Sequence, residues 1–180
     1  MTNFITKQTG PECVANAFEN IREIVLKKKP RSQEWIQAFY KKHKDKLKKR
    51  GGFDTKTFLK IKKEEGEIKG FAPIYEYYKR GPRAFLQKKM LWRRLEQSFE
   101  KNKKVGFMFG VRTKFKLNSK HELTFQKRPG GHQMAIAGVD IKDRLIIENS
   151  AGDKWGDGGF CYLTKEEFFK AAVIVYAVYF

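Results

Sequence analysis

Cysteine is scarce in this chain of 180 residues, occurring only at Cys13 and Cys161. A domain stapled by several disulfides is therefore excluded, and all thiol chemistry rests on two side chains. Proline is also sparse, with 5 residues, and neither an internal repeat nor a low-complexity linker interrupts the chain. The spacings that hold metals are missing. There is no C-x-x-C and no H-E-x-x-H, and no G-x-x-x-x-G-K-[ST] loop that would cradle a phosphate. No cofactor is called for. The longest apolar run, residues 171–180, is too short to span a bilayer, so no membrane association is expected. The opening residues, M-T-N-F-I-T-K-Q-T-G, lack the apolar core of a secretory signal.

Acidic residues are the other shortage. Twenty Asp and Glu face 39 Lys and Arg, a formal charge of +19. Such an excess favours anionic partners and says nothing about fold. Basic residues recur at 27–31, 41–50, 60–63, 79–83, 88–94, 101–104 and 112–128, which describes a broad cationic surface and not a tail. A polyanion or nucleic acid is thus an expected class of partner. With the missing signal, this places the chain in the cytoplasm or inside a phage or virus particle. What is plentiful is core material. Hydrophobic residues make up 41% and aromatics 14%, enough for one packed domain over 1–180.

The stretch 130–164 carries the strongest chemical signal. Met134 to Val139 and Arg144 to Ile147 read as two strands joined by the polar turn 140–143. An antiparallel pair brings its outer ends together, so His132 before the first strand and Asn149 after the second become neighbours. An amide beside an imidazole fixes its ring and tautomer. A nucleophile is then needed. Near the other end of the chain, Thr9, Gly10 and Pro11 form a turn, and a helix begins at Pro11 or Glu12 and runs to about Lys28. Ala15, Phe18, Ile21, Ile24 and Val25 form its buried face. Cys13 falls in its first turn, where the partial positive charge of the helix end favours a thiolate. A free cysteine is most often an inert buried thiol. The histidine and asparagine make the difference here, and no such reason attaches to Cys161, which reads as core, or to His43 and His121.

These segments resemble the motifs of the papain-like cysteine peptidases. G-H-Q-M-A-I-A-G-V-D is similar to the family's histidine strand. Asn149, Ser150, Gly152, Trp155, Gly156, Gly159 and Phe160 match its N-S-W-G-x-x-W-G-x-x-G-Y run, with Ala151 where a tryptophan usually shields the histidine and asparagine. Q-T-G-P-E-C-V-A-N-A resembles its Q…C-x-x-x-A motif, with Val14 in place of the usual tryptophan and Gln8 one position closer to the cysteine than is common. The resemblance implies a catalytic set of Cys13, His132 and Asn149, with Gln8 donating into an oxyanion hole. It implies a substrate-binding set of Gly51, Gly52 and Phe53, joined by Gly131 beside the histidine.

The implied fold is α+β and papain-like, a helical half of about 1–104 that carries the nucleophile and an antiparallel, barrel-like β half of about 105–180. The implied activity is endopeptidase cleavage through an acyl-enzyme. The propeptide common in the family has no room before Cys13, so control falls to a separate protein inhibitor, to location or to weak activity. The alternative is a basic protein on the same scaffold that binds nucleic acid or an acidic protein.

The remaining elements follow from periodicity. Ser32 caps a helix from Gln33 to about Arg50, and Thr55 to Glu65 and Pro82 to Glu100 are helical. Residues 66–81 read as a loop. Val105 to Val111 is a strand, 113–128 a hairpin or loop, Lys165 to Ala171 a short helix and Val173 to Phe180 a closing strand.

Overall fold

A computed structural model of the chain describes residues 11–49, 51–76, 82–101, 104–170 and 173–180. Three helices come first: α1 (Cys13–Leu26), α2 (Gln33–Lys42) and α3 (Thr55–Glu64), with one 3₁₀ turn at 44–46. Then follow β1 (Gly70–Glu76), α4 (Pro82–Glu100), β2 (Val105–Leu117), β3 (Leu123–Val139), β4 (Leu145–Glu148), β5 (Phe160–Leu163), α5 (Lys165–Lys170) and β6 (Val173–Tyr179). The strands form one sheet in the order β1-β6-β2-β3-β4-β5, every pair antiparallel. Among the described residues, no helix is long and apolar enough to cross a membrane.

The sheet has a core on each face. On one side Val14, Ala15, Ala17, Phe18 and Ile21 of α1 bury with Phe39, Phe58, Met108, Ala135 and Tyr176. On the other, Leu91, Trp92 and Leu95 of α4 and Phe168 of α5 bury with Phe107, Phe109, Val111, Met134 and Ile147. Alternation along β2 and β3 accounts for both, because successive residues of a strand point to opposite faces. Glycine lets α1 lie directly on the sheet. A Cβ at Gly106 would stand 2.8 Å from Ile21 Cβ, closer than real carbons pack.

The α+β class is as expected, but the strands do not close into a barrel. β1 and β5 remain as open edges. β1 also revises the reading of 66–81 as a loop: Gly70–Glu76 pairs along β6. Pro73 is tolerated because β1 is an edge strand and the register shifts between Pro73 and Tyr75. The helix expected to reach Arg50 stops at Lys42. Its start is as expected, with the Ser32 side chain accepting from the Trp35 amide at 3.3 Å. Past Tyr40 it has no apolar face left, and Lys41, Lys44 and Lys48 would sit as like charges three and four positions apart. The lysines of 60–63 are not all surface. Lys62 is fully buried over the Phe39 ring at 3.8 Å, its ammonium donating to Glu65 at 2.9 Å and Glu67 at 3.0 Å.

Candidate active site

Cys13 is the first residue of α1 and is half-buried. The backbone amides of Gln133, the residue after His132, and of Val14 and Cys13 are near enough to the Cys13 sulfur to favour its charged form. The start of α1 is thereby docked on β3 at the histidine. His132 Nε2–H donates to Asn149 Oδ1 at 2.6 Å. The hairpin places this pair as the sequence implied. β3 and β4 pair Val139 with Leu145 and Ala135 with Glu148, so the next residue outward on β4 is Asn149. Asn149 is itself buried, and its backbone N–H donates to Gly159 O at 3.2 Å. Gly156, Gly158 and Gly159, all at positive φ, fold residues 150–160 back for that bond.

Electrostatics set the resting state. Burial pushes the Cys13 thiol above its usual range; the Gln133, Val14 and Cys13 amides act against this, and the nearby Glu12 charge adds to it. Burial also holds the His132 imidazole below its ordinary value, with the Asn149 bond opposing. Both groups are thus biased towards their neutral forms. The thiolate expected from the helix end alone is outweighed by desolvation of the sulfur.

Water exclusion comes from an unexpected quarter. Ala151, at the position of the family's shielding tryptophan, is exposed. Phe115 of β2 covers the imidazole instead, with ring centroids 5.7 Å apart. It escaped notice because it sits among basic and polar residues, although F-K-L in 115–117 alternates as a half-buried strand does. Gln133 was also missed. It is buried, and its side-chain amide meets Thr55 Oγ1, the first residue of α3, at 3.1 Å. With its nitrogen towards that hydroxyl, its oxygen accepts from the Phe109 and Gly110 amides at 3.2 and 3.3 Å. One side chain therefore ties the start of α3 to the strands that carry the histidine.

The other expected site residues are distributed as follows. Gly51 and Gly52 lie against Pro11, two positions before Cys13. A Cβ at Gly52 would stand 3.2 Å from Pro11 O. Phe53 is buried among the rings of Phe39, Tyr40 and Phe58. Gly131 is exposed, and a Cβ there would meet nothing within 4 Å. Gln8 lies outside the described residues. Among the described residues, no group of three or more His, Cys, Asp or Glu could hold a metal ion.

The chain has the fold of the papain-like cysteine proteases. Xylellain, a cysteine protease from Xylella fastidiosa, superposes with a TM-score of 0.61 over 99% of this chain and 83% of its own, at 14% identity. SERA5E from Plasmodium falciparum gives 0.56 over 95% and 87%, at 16% identity. The bromelain protease from Ananas comosus, solved with the E64 inhibitor, gives 0.55 over 98% and 93%, at 14% identity. No family model matches the sequence, and no curated protein matches it.

Proposed function

We propose that the chain is a cysteine endopeptidase that hydrolyses peptide bonds through Cys13, His132 and Asn149. The observation that carries this reading is the 2.6 Å contact of His132 Nε2 with Asn149 Oδ1, on a strand whose next residue meets the Cys13 sulfur. With its Nε2 proton committed to Asn149, the imidazole keeps Nδ1 as its basic nitrogen. Nδ1 takes the thiol proton as sulfur attacks the scissile carbonyl. The C–S bond forms, and the oxyanion is held by the Cys13 amide and by Gln8. His132 returns the proton to the departing amine, which leaves as the C–N bond breaks. Water, deprotonated by the same nitrogen, then cleaves the thioester and restores the thiol. The biased-neutral pair makes this general-base catalysis of attack, not reaction from a standing thiolate. Gly131 offers open backbone to an extended substrate, while Gly51 and Gly52, packed on Pro11, would meet it only along the side that Pro11 leaves uncovered.

The test is digestion of a mixed peptide library by wild type, Cys13→Ala and His132→Ala, with products identified by mass spectrometry. Internal cleavages made by wild type and lost in both variants are expected. Cleavage that survives in Cys13→Ala, or no cleavage by any form, would overturn the reading.

The charge of +19 favours a second reading, a polyanion-binding protein on the same scaffold within a nucleic-acid-rich compartment or particle. Lys41, Lys42, Lys44, Lys46, Lys48 and Lys49 are exposed around the end of α2 and provide its first candidate surface. Titration with random oligonucleotides at rising salt tests it, since each phosphate neutralised steepens the salt dependence. A separate inhibitor protein would be one means of restraining such a peptidase.

A further inference from the structure

The two strands that carry the site hold no carboxylate along their whole length. β2 reads V-G-F-M-F-G-V-R-T-K-F-K-L, and β3 reads L-T-F-Q-K-R-P-G-G-H-Q-M-A-I-A-G-V. Their register shifts fall on β3: two steps of β2, from Val111 to Thr113, match three of β3, and the next two match four. β2 therefore alternates without interruption. Phe107, Phe109, Val111, Phe115 and Leu117 face the α4 core, and Arg112, Lys114 and Lys116 point the other way, exposed.

That other face is the one on which α1 lies. Gly106 meets Ile21 of α1, and Gln133, which pairs with Gly110, meets Cys13. Passing from Gly106 to Gly110 along β2 thus runs from Ile21 back to Cys13. The next same-facing residues, Arg112, Lys114 and Lys116, lie beyond the helix start, leading away from the thiol. The row begins beside Val111, which pairs with His132. At a rise of about 3.4 Å per residue, its charges recur about every 7 Å.

We propose that Arg112, Lys114 and Lys116 form a cationic track that receives an extended acidic segment of the peptide substrate, with carboxylates at every second position. The role as a substrate track rests on the peptidase reading; the binding of the acidic segment does not. An extended peptide has the same two-residue period as β2, so alternate acidic side chains meet successive cations in register. A peptide is favoured over nucleic acid because the row starts one residue beyond Val111, the pairing partner of His132, and among the described residues offers no ring for a base to stack on. Single-strand binders combine their charges with aromatic platforms, and here Phe115 and Phe125 face the core.

The probes are fluorescent peptides with one shared centre and either alternating Glu or alternating Gln on each side in turn. Both cleavage and binding anisotropy are measured at low salt. The proteins are wild type, Lys114→Glu/Lys116→Glu, and a matched control, Lys28→Glu/Lys69→Glu, whose exposed lysines lie beyond the far end of α1 and before β1. The Glu peptide with its acids on one particular side should bind wild type about fivefold more tightly than its Gln counterpart. The strand variant should lose that preference and the control should keep it. Binding with this pattern but no cleavage would sustain the track and reject the peptidase reading. Equal affinity for Glu and Gln peptides, equal loss in both variants, or displacement of the Glu peptide from the lysines by a tighter-binding oligonucleotide would overturn the track.

Discussion

Glu148 should make the protein's stability fall as the solution turns from acid to neutral. It ends β4, immediately before Asn149, and is 3% exposed. Its Oε1 has no hydrogen-bond partner among the described residues. Burial raises its carboxyl to about 7 from an ordinary 4.5, and the Glu23 charge on α1 pushes it the same way. The folded state thus holds this proton more tightly than the unfolded chain. The stability it confers is complete below pH 4.5 and is lost as pH rises through 7. Each tenfold gain in proton affinity on folding is worth about 1.4 kcal/mol, so the loss comes to about 3 kcal/mol. Glu148→Gln cannot titrate, so it isolates this contribution from every other ionising group. Urea unfolding followed by tryptophan fluorescence at pH 4.5, 6, 7 and 8 gives the difference between the two proteins. Relative to the glutamine variant, wild type should lose about 3 kcal/mol across that range, nearly all of it by pH 7.5. A difference that stays flat with pH would show an ordinary, hydrated carboxylate and refute the reasoning.

Three other perturbations probe the site and its support. Phe115→Ala admits water to the imidazole, so the pKa of His132 should rise towards its ordinary value, and with it the acid limb of the pH–rate profile or the NMR titration of the ring; an unchanged value would remove Phe115 as its shield. Asn149→Ala deletes one hydrogen bond of about 1 kcal/mol, so kcat/KM should fall roughly fivefold, far less than in Cys13→Ala; unchanged turnover and pH profile would exclude Asn149 from the site. Lys62→Ala leaves Glu65 and Glu67 without their shared cation and opens a cavity under Phe39, and should cost about 3 kcal/mol in urea unfolding; a change within about 0.5 kcal/mol would mean that the buried ammonium contributes little.

The histidine and asparagine were legible in the sequence because a short hairpin has only one way to bring its ends together. Cys13 was legible because turn residues and an apolar period fix where α1 begins. The rest depended on distant packing. Pro73 reads as a strand breaker, and only its place on the sheet edge makes β1 possible. Lys62 reads as part of a solvated run, and only the rings of Trp35, Phe39 and Phe58 meeting over it reveal a buried cation. Phe115 and Gln133 act across elements 17 and 78 positions away, on His132 and Thr55 respectively. No local pattern encodes such partners. The thiolate expected at Cys13 is opposed for a related reason: a helix end can be seen in sequence, but burial of the sulfur, which raises the thiol, cannot.

The proposed peptidase activity depends on nucleophilic activation of Cys13 by His132. Its most direct measurement is the rate and site of covalent labelling by an epoxysuccinyl cysteine-protease probe, read by intact-mass and peptide mass spectrometry. Cys161 is fully buried and its thiol is pushed up by that burial, so it serves as an internal control. One adduct, on Cys13, should form rapidly in wild type, more slowly in His132→Ala and not at all in Cys13→Ala. Labelling that is equally slow at both cysteines, or that His132→Ala leaves unchanged, would contradict it.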